Sequence, residues 1–176
     1  HNANLSDGRM FPTEVDINGR PIDAAYAASR VRNEPLIEIK QLKGTSETHP
    51  LLSPNDEFAG FELMSVLLGN PPGRIPHIVG SYARQALKDG LAMQDARGFN
   101  PYKFGFGAAA DSHNTAVPYR QENYFGAHGL TDATPQIRLS GHLTAGIDPR
   151  TVGPAGLTGA WAEENTRASI FDAIQR

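Results

Sequence analysis

An acidic side chain and an imidazole stand two positions apart, directly after a run of aromatic and small residues. Asp111 and His113 follow residues 104–110, whose sequence is Phe-Gly-Phe-Gly-Ala-Ala-Ala. If this run is a buried strand, both side chains lie on one face, because strand side chains alternate with a period of two. Carboxylate oxygen and imidazole nitrogen suit zinc, manganese or iron. The pair predicts half of a metal site, and the simpler alternative is a capping Asp and a surface His.

A second carboxylate, Glu38, lies between two isoleucines in the run Leu-Ile-Glu-Ile at residues 36–39. Branched residues favour a strand, and a carboxylate buried in a strand is costly unless it is paired or binds a metal. Glu38 is therefore a candidate ligand, and an edge strand that exposes it to solvent is the alternative. The polar loop that follows contains Glu47 and His49. Loops after strands carry chemistry in α/β enzymes, although such residues also make turn hydrogen bonds.

The helices and strands that would position these side chains are predicted from the spacing of apolar residues and from Pro and Gly at the ends of segments. Residues 1–11 are predicted to be loop. Helices are predicted over residues 19–33, 53–68, 81–96 and 162–174, and strands over 36–39 and 102–110. The second helix is expected to bury Phe58 and Phe61, the last to bury Phe171, and His77 to pack in an apolar loop. The alternation predicts an α/β fold with a parallel sheet or barrel, whose functional residues gather at the carboxyl ends of strands.

Composition narrows the classes of protein and of partner. The chain has 176 residues, of which 39% are hydrophobic and 20% charged, as in a globular domain. The net charge is −3 and basic residues form no stripe, so we expect no nucleic-acid partner. No apolar run approaches the roughly 20 residues of a membrane span, so we expect no membrane. The absence of cysteine excludes disulfides and thiolate ligands and leaves the compartment open.

Four longer stretches carry a further signal. They are His-Asn-Ala-Asn-Leu-Ser-Asp-Gly-Arg-Met-Phe at residues 1–11, Pro-Leu-Ile-Glu-Ile at 35–39 with Gly-Thr-Ser-Glu-Thr-His-Pro at 44–50, Tyr-Lys-Phe-Gly-Phe at 102–106 with Asp-Ser-His at 111–113, and Gly-Leu-Thr-Gly-Ala-Trp-Ala-Glu-Glu-Asn-Thr-Arg at 156–167. Together they resemble an uncharacterised bacterial family, domain of unknown function 3604. That family is similar to the PHP (polymerase and histidinol phosphatase) metal-dependent phosphoesterases.

The resemblance implies a distorted (β/α) barrel of PHP type, with long irregular loops and divalent metal ions at the carboxyl ends of its strands. Asp111 and His113 match the late Asp-x-His ligand pair. His1 looks like a mid-sequence His ligand, and Glu38 like a ligand carboxylate whose order after His1 departs from the usual pattern. Glu47 and His49 belong to the family pattern and are the candidate catalytic residues.

One departure from the PHP pattern concerns the extent of the site. The early His-x-His strand is missing, so we expect residues 1–176 to be a single domain or the C-terminal portion of a larger PHP-like domain. Residues 114–159 would be a long loop insertion. As a fragment with part of the metal site, the isolated segment is expected to bind metal weakly and to be inactive. Its missing remainder or a second copy would then be a partner.

The expected function is that of a metal-dependent hydrolase that uses metal-activated water on a small phosphoester. Two alternatives stay open. One is a hydrolase of another ester or of an amide on the same scaffold. The other is a non-enzymatic binding module or inactive fragment. The expected cofactors are zinc, manganese or iron, and the bacterial compartment is cytoplasmic or exported.

Overall fold

The computed structural model describes residues 2–67, 76–113, 120–124, 134–140, 152–154 and 156–175. Within these ranges the chain forms α1 (Ala24–Asn33), α2 (Ala83–Arg97), α3 (Pro135–Ser140) and α4 (Arg167–Gln175). The strands are β1 (Leu36–Gln41), β2 (Gly44–Thr45) and β3 (Gly105–Ala108). Short 3₁₀ helices occupy Ala3–Leu5 and Gln121–Asn123. No helix of the described part is long and apolar enough to cross a membrane.

The strands form one mixed sheet in the order β2-β1-β3. β1 and β3 are parallel, with Leu36 opposite Gly105, whereas β2 returns antiparallel to β1. Asn2 adds an isolated parallel bridge opposite Glu38. Three segments therefore run in the same direction, and their carboxyl ends meet at one edge of the sheet. Such a sheet with flanking helices neither supports nor refutes a distorted (β/α) barrel, which stays a prediction.

The apolar core joins β1, the N-terminal segment and α2. Its buried members are Ala3, Phe11, Ile37, Ala83, Ala86, Met93 and Tyr102. The rings of Phe11 and Tyr102 meet edge to face with centroids 5.4 Å apart, an arrangement that the ring quadrupoles favour. Ala83 and Ala86 present small side chains, which let α2 approach closely. This packing holds the carboxyl edge of the sheet beside the first turn of α2.

The predicted helices at 19–33 and 81–96 and the strand at 36–39 are confirmed with shifted bounds. α1 begins after Asp23, whose carboxylate accepts the Tyr26 amide at 2.8 Å as an N-cap. β1 continues two residues beyond the predicted strand, to Gln41. α2 has no capping side chain. Its first amides, those of Ala83 and Arg84, instead donate to carbonyls of the polar loop after β2.

The predicted helix over residues 53–68 is wrong for its described part, residues 53–67, which is a series of turns. The Asp56 carboxylate accepts the Phe58 amide at 2.9 Å, a local bond that favours a turn. The backbone of Glu62 is left-handed (φ 47°), which ends any helix. Phe58 and Phe61, expected to be buried, are 73% and 65% exposed. Leu68 lies outside the described residues.

The strand predicted over residues 102–110 is shorter and more exposed than expected. β3 covers Gly105–Ala108, and Phe106 is 49% exposed. Aromatic and small residues indicate a strand but do not show which face other elements cover. The outer edge of β3 contacts Thr158, whose hydroxyl accepts the Ala108 amide at 2.8 Å and donates to the Ala108 carbonyl at 2.7 Å.

The C-terminal helix begins later along the chain than the predicted range 162–174. α4 begins at Arg167 because the Thr166 hydroxyl accepts the Ser169 amide at 3.3 Å in the manner of an N-cap. None of its residues is buried, and Phe171 is 61% exposed. Of the predicted insertion 114–159, the structure describes residues 120–124, 134–140, 152–154 and 156–159, which include α3 and a 3₁₀ turn. The rest of the predicted insertion lies outside the described residues.

Gly44 and Gly90 each lie where an added Cβ would come too close to a neighbouring atom. Gly44 has φ +95°, and a Cβ there would lie 2.8 Å from the Glu62 carbonyl oxygen and 2.9 Å from the Met64 amide. Gly90 lies inside α2, where a Cβ would lie 2.3 Å from Asn100 Oδ1. The first glycine presses the β1–β2 hairpin onto the 60–64 backbone, and the second admits a buried Asn beside the helix.

Candidate functional site

A buried amide, Gln41, links three segments at the carboxyl edge of the sheet. Its Nε2 donates to Asn2 Oδ1 at 2.9 Å and to Asp111 Oδ2 at 3.1 Å, and its Oε1 accepts the Lys43 amide at 3.0 Å. Gln41 is 1% exposed. Flipping the amide would turn Oε1 toward the Asp111 carboxylate and leave Lys43 N–H without its acceptor. The contacts therefore allow one orientation of Gln41.

Asn4 extends the network below Gln41 and is fully buried. Its backbone amide donates to Ser46 Oγ at 3.1 Å. Its side-chain Oδ1 accepts hydrogen bonds from Ser46 Oγ and from Asn2 Nδ2, each at 3.0 Å. Its Nδ2 donates to the Lys43 carbonyl at 3.1 Å. Every polar group of the Asn4 side chain thus has a partner, which offsets the cost of burying it. The network ties the N-terminal segment to the hairpin that follows β1.

Asp111 follows β3 at the exposed end of this network. Its backbone is left-handed (φ 51°), so the strand alternation that placed Asp111 and His113 on one face does not reach them. A non-glycine residue held in this region is strained, and such residues concentrate at functional sites. The Lys43 ammonium forms an ion pair with Asp111 Oδ2, the same oxygen that accepts from Gln41.

The carboxyl group of Asp111 is held in its ionised form. Partial burial by itself would raise the pKa of Asp111, but the hydrogen bond and charge of Lys43, the hydrogen bond from Gln41 and the charge of His113 together lower it. His113 is therefore within electrostatic reach of Asp111. A carboxylate and an imidazole at one strand end have the donor chemistry for zinc, manganese or iron.

The other predicted ligands are distributed differently. Glu38 lies on β1 opposite Gly107 and Asn2. It lines a groove of about 370 Å³ together with Ala108 and Thr158. His1 lies outside the described residues. Within the described ranges, no three His, Cys, Asp or Glu side chains are grouped closely enough to hold a metal ion. Asp111 and His113 therefore supply two donors of suitable chemistry rather than a complete ligand set.

The candidate catalytic residue Glu47 takes part in a three-residue ion cluster. Arg84, in the first turn of α2, pairs with Glu47 and with Asp56, the latter at 2.5 Å. The hydrogen bond from Arg84 is the largest cause that lowers the pKa of Asp56. The guanidinium thus fastens the polar loop and the 53–67 turns to α2. This contact orients the Glu47 side chain, which is 49% exposed.

The second candidate, His49, packs against a buried tyrosine. The His49 and Tyr82 rings have centroids 5.6 Å apart. Burial lowers the pKa of His49, and its Nδ1 accepts the Leu51 amide at 3.2 Å. A neutral His49 therefore carries its proton on Nε2. Burial raises the pKa of Tyr82 to about 12, and its hydroxyl has no hydrogen-bond partner among the described residues.

His77 is exposed, which corrects the expectation that it packs in an apolar loop. Its Nδ1 lies 2.8 Å from Asp7 Oδ1, which also accepts the His77 amide at 3.0 Å. Next to this pair, the Gly8 amide donates to Ser81 Oγ at 2.7 Å. Because the residues around His77 are apolar, the sequence concealed a polar contact with a loop some 70 positions away.

The comparison with protein families covers the whole chain. A family model described as protein of unknown function (DUF3604) matches residues 1–176. The chain belongs to the DUF3604 family. No curated protein and no solved structure matches the chain significantly. The resemblance to domain of unknown function 3604 is confirmed, whereas the link to PHP phosphoesterases stays a prediction.

In this DUF3604 chain, the structure adds site residues that the sequence argument did not single out. They are Asn2, Asn4, Gln41, Lys43 and Ser46. Carboxamides and hydroxyls have no characteristic spacing, so a pattern search passes over them. The available signal was position, because Gln41 ends β1, Lys43 and Ser46 follow it, and Asn2 pairs beside it in an isolated bridge with Asn4 two residues on. Polar residues at the carboxyl ends of parallel strands are typical of sites.

Proposed function

We propose that this chain forms part of a metal-dependent hydrolase that acts on phosphoesters. The observation that carries the proposal is the fixed, ionised carboxylate of Asp111 at the carboxyl end of the parallel pair β1–β3, within electrostatic reach of His113. A buried amide network that orients one carboxylate is a costly arrangement, which a ligand role explains. In barrels, this edge carries the functional residues.

In this proposal, Asp111 and His113 hold a divalent metal ion, and His1 and Glu38 are the further candidate ligands. The bound ion, zinc, manganese or iron, polarises phosphoryl oxygens and lowers the pKa of a bound water. Gln41 keeps Asp111 in place through the hydrogen bond from its Nε2 to Asp111 Oδ2. Its hydrogen bonds with Asn2 and the Lys43 amide hold the Gln41 side chain itself.

The two candidate catalytic residues have different roles here. The neutral His49 side chain donates a hydrogen bond from Nε2–H, because its Nδ1 accepts the Leu51 amide. Its lowered pKa favours this neutral form near neutral pH, in which Nε2–H orients an oxygen of substrate or water and no free lone pair remains to accept a proton. Glu47, which pairs with Arg84, orients the polar loop rather than transferring a proton.

Metal content and hydrolysis test the proposal on the full-length protein. Asp111→Ala and His113→Ala are expected to lose bound zinc or manganese and to lose hydrolysis of an aryl phosphate. Asp95→Ala is the matched control, because Asp95 lies on the exposed side of α2, away from the sheet edge. Metal content that is unchanged in both site variants would reject the assignment. Retained metal binding with hydrolysis of other esters or amides, and not of phosphoesters, would favour the alternative hydrolase.

A non-enzymatic binding module is the second candidate, and one observation favours it. Several large apolar side chains near the C-terminus are exposed, including Leu157, Phe171 and Trp161, which is 99% exposed. Exposed apolar surface of this kind marks interaction sites in many proteins. Full-length protein that binds no metal, with or without Asp111, would favour this candidate over the hydrolase.

A further inference from the structure

We propose that the groove between α1 and the end of α2 binds a small amphipathic anion, which carries a carboxylate or phosphate group on a short apolar tail. The groove has a volume of about 420 Å³. α1 leads into β1 and α2 leads into β3, and these parallel strands begin at the same edge of the sheet. The groove therefore lies toward that amino edge, away from Asp111, and the proposal does not depend on the proposed function.

The first support is charge, because two cations and no carboxylate line the groove. Arg32 is in the last turn of α1, and Lys103 comes shortly before β3. Within the described part of the chain, neither side chain forms an ion pair with an Asp or Glu. The protein therefore leaves both charges available to an anion in the groove.

A third cation, Arg97, adds positive charge beside the groove. Its guanidinium lies over the Phe99 ring, 4.8 Å from the ring centroid, and donates to the Thr13 and Ile22 carbonyls. These carbonyl oxygens hold the guanidinium in place but do not neutralise it. The whole chain has a net charge of −3, so the excess of positive charge is local to this surface. Such a local field attracts anions.

The second support is a hydrogen-bond donor without an acceptor. Asn100 lines the groove and is 8% exposed. Its Oδ1 accepts the Tyr102 amide at 2.8 Å, which fixes the orientation of the side-chain amide and leaves Nδ2 as the polar atom for a ligand. Nδ2 has no hydrogen-bond partner among the described residues. A largely buried amide nitrogen in this state is costly, and an anionic oxygen in the groove would satisfy it.

The third support is the apolar part of the lining, which suits a ligand with an apolar tail. Ala24, Ala27, Ala28 and Val31 come from α1, and Phe99 follows α2. The spacing of three and four residues places the α1 side chains on one face of the helix. Their small size leaves the space that the groove occupies, and its volume is within the range of small-molecule sites. An inorganic anion would use the cations alone and leave this surface uncovered.

NMR titration of the full-length protein with phenylacetate and with phenylphosphonate tests the proposal, and 2-phenylethanol is the neutral match. At least one anion is expected to shift the backbone amides of Ala28 and Asn100, and the tighter one identifies the preferred charged group. Arg32→Gln and Lys103→Gln should each weaken binding about fivefold, and the double variant more than about tenfold. Lys88→Gln, on the exposed side of α2 and outside the lining, is the control and leaves the affinity unchanged.

The proposal is overturned if neither anion shifts the groove amides, if 2-phenylethanol binds as tightly as the anions, or if the double variant keeps the wild-type affinity. Ala28→Leu tests the groove itself, because Ala28 is exposed on α1 and leucine is a good helix former. The larger side chain should fill the groove and weaken anion binding at least about tenfold, with an unchanged Tm. Asp111→Ala should leave this binding intact, and its loss there would place the anion at the carboxyl edge of the sheet instead.

Discussion

Replacing Gln41 by Met tests whether the amide network is what holds the carboxyl edge of the sheet together. Methionine has nearly the volume of glutamine but makes no hydrogen bonds with Asn2, Lys43 or Asp111. The variant would lose three bonds of 2.9–3.1 Å. It creates no large cavity, so any loss of stability reports on polar contacts rather than on packing.

The magnitude follows from the groups left behind. Asn2 Oδ1 and the Lys43 amide would each remain buried without their Gln41 partner, and a buried unsatisfied group costs roughly 1–3 kcal/mol. Asp111 keeps Lys43 and loses little. We therefore expect Gln41→Met to lower the free energy of unfolding by about 3 kcal/mol. In a chain of this size, that corresponds to a fall in Tm of about 6–12 °C.

Urea and thermal denaturation, followed by circular dichroism, measure the loss. Gln85→Met is the matched control: Gln85 is partly buried on α2 and donates to Asp89 at 2.7 Å, outside the network. Its expected cost is below about 1 kcal/mol, as for most near-surface contacts. A loss in Gln41→Met no larger than in Gln85→Met would show that the network does not stabilise this edge.

Three further outcomes are expected. Because the folded pKa of Asp111 lies below its ordinary value of 3.8, its ion pair stabilises the fold above that pH. The stability difference between the wild type and Asp111→Asn should therefore shrink as the pH falls below 3.8, and a constant difference would contradict the pairing. Gly44→Ala should lower the free energy of unfolding by about 3 kcal/mol, because the added methyl group meets the 62–64 backbone. Gly19→Ala should lower it by about 1 kcal/mol, because Gly19 also has a positive φ but has open space around it. Equal losses in urea denaturation would refute the close contact at Gly44. Arg84→Met should move the pKa of Asp56 upward toward its ordinary value in carboxyl-carbon NMR, and an unmoved value would refute the ion cluster.

The local elements were predictable where one segment determines its own conformation. The apolar spacing before Asn33 and the branched run of β1 are local signals, and the helix and the strand that they predict are confirmed. The 53–67 segment has an apolar spacing that suits a helix, yet its conformation depends on contacts distant in sequence. Asp56 pairs with Arg84, and the Glu62 carbonyl accepts the Thr45 amide at 3.0 Å. Such contacts leave no trace in a local pattern.

The candidate site divides in the same way. Asp111 stood out because a carboxylate after a strand has an evident chemical use. Gln41 did not stand out, because a glutamine just beyond a predicted strand has no evident chemical use. Its role is visible only once the fold brings Asn2 and Asp111 within hydrogen-bond distance of its Nε2. The ligand role of Asp111 and His113 stays a prediction. The structure shows how Asp111 is held, which the sequence alone could not.

The hydroxyl of Thr158 bears on how far this sheet can extend. By pairing with both backbone groups of Ala108, Thr158 occupies the donor and the acceptor that a neighbouring strand would use. A single side chain thus stands in for a strand at the outer edge of β3. Pairing of a further strand with Ala108 and the Thr158 contact are then mutually exclusive. A further strand could pair with Ala108 only if Thr158 moved aside first.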